Sequence, residues 1–311
     1  LRKPVLGLLA LALAGMLAFL FLWDPWDWFR RPARVPGEAW EFKDPLASQK
    51  PGPLSQRPLH FLVMGIDHGQ GRPPEGNQRS DVLMIVRFNE RTGRIVLLSI
   101  PRDSYVNVPG YGKHKINEAY QLGGAKLAVK TVEEITGLSL DGYVALDFDG
   151  FVRLVDLFGG VEITLEKDLK DPKLGYIPKG RQVLDGSRAL ILARSRNYPR
   201  GDLARIEQQQ RLVAAILRKG RERAGSPGIA WLLAAALENV ETDLDLGRLL
   251  VLAGELAFQP ALDLQACIAP GESGNLGGAS IYRLDEEGLD RLLRSLQAAD
   301  LVPEEFRTAA W

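Results

Sequence analysis

The chain has 311 residues, and its 39 Lys+Arg balance 39 Asp+Glu, so the formal net charge is zero. That balance argues against a general nucleic-acid binder, which needs an excess of cations to neutralise a phosphate backbone. The single cysteine, Cys267, excludes an internal disulfide framework and a zinc cluster built on thiolates, and reads as a small buried apolar residue.

In chain order, the first predicted element is apolar. Val5–Trp23 contains no charge, and as a helix it spans about 28 Å, close to the thickness of a bilayer core. Arg2 and Lys3 precede it and keep the N-terminus cytoplasmic, while Trp23, Trp26 and Trp28 suit the far interface. Ala12-Leu13-Ala14 resembles a processing site, but the apolar run continues well past it, which favours an uncleaved signal-anchor over a signal peptide. Residues 1–23 are therefore expected to be a cytoplasmic start and one transmembrane helix, with everything after them extracytoplasmic. Residues 24–58 hold seven of the 19 prolines and read as a stalk.

From residue 59 the pattern changes. Leu59–Gly65, Val82–Phe88 and Arg94–Ile100 read as strands, the last two joined by the turn Asn89-Glu90-Arg91-Thr92-Gly93. Ala119–Ile135 has helical spacing through Leu122, Leu127, Val129, Val132 and Ile135. Gly142–Phe148 and Val161–Leu165 are further strands, with a helix Phe151–Leu157 between them. Asp185 caps a short helix Gly186–Ala193, and a longer one runs from Asp202 to about Lys219. Pro227–Glu238 and Leu246–Ala257 are apolar helices, followed by a strand near Ala279–Arg283 and a helix Glu286–Leu296. Interleaved strands and helices without repeats predict an α/β fold, a single domain over 59–297 with a central mixed β-sheet flanked by helices. Core motifs fill 59–219, a helical and strand part fills 225–297, and 298–311 is a tail.

The candidate chemistry falls in four clusters. The densest is Arg194-Ser195-Arg196-Asn197-Tyr198-Pro199-Arg200-Gly201-Asp202-Leu203-Ala204-Arg205, four guanidiniums and a carboxylate in twelve residues, followed by Gln208, Gln209 and Gln210. The arginine fork matches phosphate oxygens two at a time. Arg205 and Gln209 share a helix face, Asp202 lies near that helix's start, where amides bind anions, and Arg194 and Arg196 share a side if the backbone is extended. An arginine-rich surface helix is the competing reading. Asp67 and Asp81, with Arg79 between them in sequence, end and precede two strands. They are either turn aspartates or, if the strands are neighbours, hard oxygen ligands for Mg²⁺ shared with a phosphate. Arg102 and Asp103 follow a strand stopped by Pro101 and form either a surface ion pair or part of a site beyond the strand end. Lys113, His114, Lys115 and Asn117 read equally as a solvated basic loop or a phosphate contact. His60, His68 and His114 lack metal-type spacing, and no HExxH, GxxxxGK[ST] or GxSxG motif occurs. The apolar strands VLMIV and YVALDF could line a lipid tunnel or fill an ordinary core.

The ordered set VMGID, RSDVLMIV, SIPRDSYV, KINEAYQLGG, FVRLVDLFGGVEI and RSRNYPRGDLARIEQQQR resembles the LytR-CpsA-Psr family of bacterial cell-envelope proteins. The resemblance covers about 59–219 strongly and continues weakly through PGESGNLGGASIYRLDEEGLDRLL. It implies a membrane-anchored phosphotransferase that moves a glycopolymer from a polyprenyl-pyrophosphate carrier to a peptidoglycan hydroxyl, forming a phosphodiester and releasing polyprenyl phosphate. By the same resemblance Asp67 and Asp81 match Mg²⁺ carboxylates, and Arg79, Arg102, Arg194, Arg196, Arg200, Arg205 and Gln209 match groups around the pyrophosphate. Arg102, Asp202 and Arg205 are implied to be catalytic, and Asp202 or Asp103 would take the nucleophile's proton. The loop from Arg196 to Arg200 is a residue shorter than in typical members, which bears on where Arg200 points. A non-catalytic lipid-phosphate or glycan binder, a polyprenyl-pyrophosphate hydrolase and a transcription regulator are the alternatives. The anchor's orientation and zero net charge oppose the last.

Overall fold

The computed structural model describes residues 57–67, 78–198, 200–226, 228–259 and 261–308. The expected membrane segment and the stalk up to residue 56 lie outside the described residues; among those described, no helix is long and apolar enough to cross a membrane.

Strands β1 (Leu59–Asp67), β2 (Arg79–Asn89) and β3 (Arg94–Ser99) form an antiparallel meander. Their side chains alternate between two packed faces. Leu62, Met64, Leu83, Ile85, Val96 and Leu98 enter one core, while Met84, Val86, Phe88, Ile95 and Leu97 enter another. Burial on both faces is why these strands read as near-continuous apolar runs. Next comes a hairpin of β4 (Tyr105–Val108) and β5 (Gly112–Lys115), turned at Pro109-Gly110 with Gly110 at φ 82. The basic stretch expected as a loop is therefore mostly a strand, which a four-residue polar segment does not announce.

Helix α1 (Glu118–Thr136) breaks inside at Gly123 and Gly124, the latter at φ 66, so the continuous helix that the apolar spacing predicts is two segments. Strand β6 (Gly142–Asp147) pairs in parallel with β1, and helix α2 (Phe148–Leu157) follows at once because the Asp147 carboxylate accepts from Gly150 N at 2.7 Å. Short strands β7 (Val161–Leu165), β8 (Leu169–Asp171), β9 (Gly175–Ile177) and β10 (Gly180–Leu184) make two small hairpin sheets, β7 with β10 and β8 with β9. Asp185 caps α3 (Gly186–Arg194) by accepting from Arg188 N at 2.8 Å, as its sequence position predicts. Then come the long helix α4 (Gly201–Ala224), α5 (Ile229–Leu237), β11 (Glu241–Thr242) and α6 (Leu246–Phe258). The chain closes with β12 (Asp263–Ile268), the hairpin β13 (Gly271–Leu276) and β14 (Ala279–Leu284), and α7 (Glu286–Ala299).

The main sheet has the order β11-β6-β1-β2-β3-β12, with parallel pairs β1–β6 and β3–β12 among antiparallel ones. It is the mixed, helix-flanked sheet that the sequence predicts. Helices α1 and α7 contribute Ala128, Val132, Leu292 and Leu296 to the core on one face; α4 and α6 bring Ala214 and Leu256 to the other.

The segment expected as a tail is part of the fold: Thr308 N donates to Ala266 O at 3.0 Å and Val302 N to the Gln265 side chain at 2.9 Å. Its anchor is Asp300, left-handed at φ 57 and buried. The Asp300 carboxylate accepts from Arg87 Nε at 2.9 Å, Asn89 Nδ2 at 2.9 Å and Thr92 Oγ1 at 3.1 Å. Arg87 in turn donates through Nη2 to Leu296 O at 2.7 Å and through Nη1 to His60 Nε2 at 2.9 Å. With Nε2 accepting, the proton of the neutral His60 ring sits on Nδ1, 3.2 Å from Ser139 O. This network ties the end of α7 to β1 and β2 at the end of the sheet opposite Asp67.

Burial, with the Arg87 charge adding to it, holds the His60 pKa down at about 4. The unfolded chain keeps an ordinary imidazole near ~6.5, so it binds more protons than the folded chain between those values. The stability due to neutral His60 is complete above pH ~6.5 and is lost as pH falls toward the folded value, on the order of 3 kcal/mol in all. Urea unfolding at pH 7 and pH 4.5 is expected to show that loss, and His60→Gln to flatten it; an equal pH dependence in both proteins would remove His60 as its source.

Candidate functional site

The site starts from an irregularity between β1 and β2. Gly65 pairs with Val82 but Ile66 pairs with Ser80, so Asp81 is the extra residue of a β-bulge. The bulge lets β2 begin at Arg79, earlier than the apolar pattern suggests, and turns Asp81 out of the regular alternation. Asp67 ends β1 opposite Arg79, and Asp67 and Asp81 line one cavity, as the strand-end reading requires. Gly65 makes the tight pairing possible, since a Cβ there would lie 2.9 Å from Val82 Cγ2.

Beside the bulge, charges of both signs interlock. Arg102 Nη1 donates to Asp81 Oδ1 at 2.9 Å, and its Nε lies 3.6 Å from Asp202 Oδ2 and 3.7 Å from Asp103 Oδ2. Asp202, in the first turn of α4, is also 3.5 Å from Arg196 Nε and 3.3 Å from Arg205 Nη2. One carboxylate is thus shared by three guanidiniums from three chain segments. Lys115, from the basic stretch, donates to Asp103 Oδ1 at 2.9 Å. The buried Nε atoms of Arg102 and Arg205 make no hydrogen bond among the described residues. A cluster with donors to spare suits an anionic ligand. Burial pushes the Arg205 pKa down, reinforced by Arg102 and Arg196 and opposed by Asp202. Burial also disfavours the charge on Arg102, but Asp81, Asp202 and Asp103 outweigh it and its pKa rises. Both remain cations, as guanidiniums do at any physiological pH.

The cavity has a volume of about 700 Å³ and lies between the sheet and helices α2, α4, α5 and α6. Alternate residues of β1, from Phe61 through Val63 and Gly65 to Asp67, line it, as do α4 residues from Gly220 back to Arg205. Both series run from apolar to charged, so the polar groups gather at one end of an apolar chamber. Of VLMIV, Val82 and Val86 line it while Leu83 and Ile85 fill the opposite core; the strands do both jobs through their two-residue period.

Arg194, Arg196, Arg205 and Gln209 all reach the polar end. Arg194 is the last residue of α3 rather than part of an extended segment, and its guanidinium stacks 4.4 Å from the centre of the Phe148 ring. Gln209 sits one turn after Arg205 and donates to Ala193 O at 3.0 Å. Two expected residues are not brought in. Arg200 precedes the first turn of α4 and turns back to Glu207, with a side chain 62% exposed. Arg79 lies 3.3 Å from Glu118 Oε1 and donates to Gln121 Oε1 at 3.3 Å, on the first segment of the broken helix α1. His114 likewise contacts Glu118, at 3.0 Å. Conversely, Asp147, Asp171 and Lys173 line the cavity without having been singled out, and Ser195 Oγ donates to Asp171 Oδ2 at 2.8 Å. Asp171 and Lys173 belong to three-residue strands and their turn, where no motif or periodicity marks them.

Asp67 and Asp81, two carboxylates beside a guanidinium cluster, fit the hard oxygen donor set of a Mg²⁺ that takes its remaining ligands from elsewhere. Among the described residues no larger group of three or more His, Cys, Asp or Glu is placed to hold a metal.

These features define an α/β domain with an apolar chamber under an arginine cluster. The LytR_cpsA_psr family profile matches residues 35–298, and the chain belongs to that family. It is 37% identical over 177 residues to regulatory protein MsrR of Staphylococcus aureus, covering 56% of this chain and 53% of that one. The chain thus spans about half the length of that relative. It is 33% identical over 251 residues to the polyisoprenyl-teichoic acid–peptidoglycan teichoic acid transferase TagU of Enterococcus faecalis, covering 78% and 80% of the two chains. Among solved structures, Bacillus subtilis TagV superposes with a TM-score of 0.70 at 29% identity, over 80% of this chain and all of that one. The LytR-CPS2A-psr family protein YwtF (TagT) with bound octaprenyl pyrophosphate lipid superposes with a TM-score of 0.60 at 27% identity, over 78% and 90%.

The three adjacent glutamines are separable by experiment. Gln210 is fully buried and bonds Ser99 Oγ at 2.9 Å, Cys267 O at 2.8 Å and Thr308 Oγ1 at 2.8 Å, joining α4 to β3, β12 and the C-terminal segment. Gln210→Ala is expected to cost on the order of 3 kcal/mol by stranding those groups, whereas Gln209→Ala, which loses the bond to Ala193 O, should cost about 1 kcal/mol. Equal losses in thermal unfolding would show that the two do not divide in this way.

Proposed function

We propose that this protein is a membrane-anchored extracytoplasmic phosphotransferase that moves a glycopolymer from a polyprenyl-pyrophosphate carrier to a peptidoglycan hydroxyl. The observation that carries this reading is the joining of an apolar chamber to a guanidinium cluster at one end, the two halves of a polyprenyl pyrophosphate. The lipid bound by TagT and the activity named for TagU support it. The prenyl tail lies in the chamber between the sheet and α4. The diphosphate lies among Arg102, Arg194, Arg196 and Arg205, where it competes with Asp202 for the same forks. Asp67 and Asp81 would hold Mg²⁺, which when bound would supply further neutralising charge beside the diphosphate.

The acceptor oxygen attacks the phosphorus that bears the glycan. A new P–O bond forms, the bond to the bridging oxygen breaks, and polyprenyl phosphate leaves with the electron pair. Charge grows on the departing phosphate as this happens, and fixed guanidiniums stabilise it more than they stabilise the bound carrier. For the proton, Asp103 is the better base. Its carboxylate faces Lys115 and one edge of Arg102, whereas Asp202 is already engaged by three guanidiniums. Asp202 then serves to hold the arginines together while the carrier is absent.

The test uses the full chain with a synthetic polyprenyl-pyrophosphate glycan, a peptidoglycan acceptor and Mg²⁺. Acceptor-dependent release of polyprenyl phosphate, with the glycan joined to the acceptor, is the expected result. Binding without release would leave a non-catalytic binder, and release with water as sole acceptor a hydrolase. Arg205→Ala is expected to lower the rate on the order of a hundredfold, and Asp103→Asn to lower kcat while leaving binding of the carrier in place. Filling the chamber with Val63→Trp should raise KM for long-chain carriers and spare short-chain ones; an equal effect on both would place the tail elsewhere.

A further inference from the structure

Helices α5 and α6 are apolar where water-exposed helices are not. α5 reads Ile-Ala-Trp-Leu-Leu-Ala-Ala-Ala-Leu, without a charge, and α6 carries only Arg248 and Glu255 in 13 residues. A helix hydrophobic all round belongs inside a core or a membrane. Yet every described side chain of α6 is at least partly exposed.

The inner face is accounted for. Ile229 and Leu233 of α5 and Leu249, Leu252 and Leu256 of α6 line the chamber. The outer face is not. Trp231 lies two residues from both Ile229 and Leu233, about 200° round the helix, and is 69% exposed; Val251, two residues from Leu249, is 41% exposed. The chamber wall here is one helix thick; its outer surface is apolar on α5, while on α6 Arg248 and Glu255 flank Val251 three and four residues away.

Next to this wall the sequence concentrates cations. Arg218, Lys219, Arg221 and Arg223 end α4 within six residues, with Glu222 the one acid among them. Arg218 and Arg223 are exposed. Arg221 donates to Gln259 O at 3.0 Å, which fastens this basic end to the end of α6. An exposed tryptophan on an apolar face with a fixed basic flank is the composition that an anionic headgroup interface selects. A second copy seated symmetrically on the same face would bring the two basic flanks toward each other.

We propose that the outer face of α5 and α6, with the basic end of α4, docks on an anionic phospholipid surface. The chamber wall then rests against the bilayer, and a prenyl tail passes from acyl chains to chamber without crossing water. This deepens the carrier reading and rests on it for the role of the chamber, but docking is measured independently of turnover.

The experiment uses the full chain in lipid nanodiscs, with an environment-sensitive fluorophore on Trp231→Cys and, as a control, on Glu272→Cys in the exposed hairpin β13–β14. Native Cys267 is fully buried, so labelling goes to the introduced thiols. In phosphatidylglycerol nanodiscs the label at 231 is expected to shift to the blue and to be quenched severalfold by doxyl lipids, while the label at 272 is not. Arg218→Glu with Arg223→Glu, or pure phosphatidylcholine, should weaken both signals. Identical spectra at 231 and 272 would overturn the proposal, as would a shift at 231 that persists without lipid and grows with protein concentration, the mark of a second copy. Arg102→Ala is expected to stop polyprenyl phosphate release and keep docking. Docking by a wild-type chain that releases none would sink the transferase reading alone, and turnover without docking would sink this one alone.

Discussion

Three guanidiniums around one carboxylate is the arrangement on which the rest of the site depends. Arg102, Arg196 and Arg205 come from the end of a strand, a loop and a helix, and each would repel the others if Asp202 were not between them. Partly buried cations so close together need compensation, and a carboxylate that several of them share supplies it at the least desolvation cost. The same arrangement is also what a diphosphate would displace. A protein that keeps its arginines converged without ligand needs little rearrangement to receive one, so binding energy is not spent on drawing like charges together.

The fold serves this cluster through two local devices. The bulge at Asp81 rotates one carboxylate toward Arg102 while its neighbours continue the sheet. The break at Gly123-Gly124 sets off the first segment of α1, which engages Arg79 and His114 through Glu118 while Ala119 stays in the core. At the other end of the sheet, the Arg87–Asp300–His60 network pins the C-terminal helix. Polar residues are thus concentrated at the two ends of the sheet, and the space between them is left to apolar packing on one face and to an apolar chamber on the other. The LytR_cpsA_psr family to which the chain belongs includes a structure that holds a lipid pyrophosphate, and the division into charged end and apolar chamber has the two parts such a molecule requires.

Much of this was legible in the residues themselves, and the failures have physical causes. Strands with both faces covered announce themselves as apolar runs, and Asp185 announces a helix by its capping chemistry, so the layered α/β fold could be read directly. Strands β11, β12 and β13 could not: β11 has two residues, β12 owes its pairing to β3 far along the chain, and β13, Gly-Glu-Ser-Gly-Asn-Leu, has almost no apolar residue to mark it although its partner β14 is next in sequence. Asp300 reads as part of a tail because its partners Arg87, Asn89 and Thr92 lie more than 200 residues away. Arg200 was grouped with its neighbours because it shares their segment, yet a position just before a helix start points it at Glu207 instead.

What the sequence determined alone is the set of chemical types: arginines and aspartates at fixed spacings, near-continuous apolar strands, a helix capped by Asp185 and a balanced charge. These follow from local rules, in which a residue's role is set by its neighbours within a turn or a strand pair. Which arginines meet, which face of a strand lines a chamber and which lies in a core, and which of three consecutive glutamines touches the site were decided only by the tertiary structure. Convergence of side chains from residues 81, 102, 196, 202 and 205 depends on strand order, a one-residue bulge and the direction of one long helix, and no local pattern encodes a distance between segments that far apart.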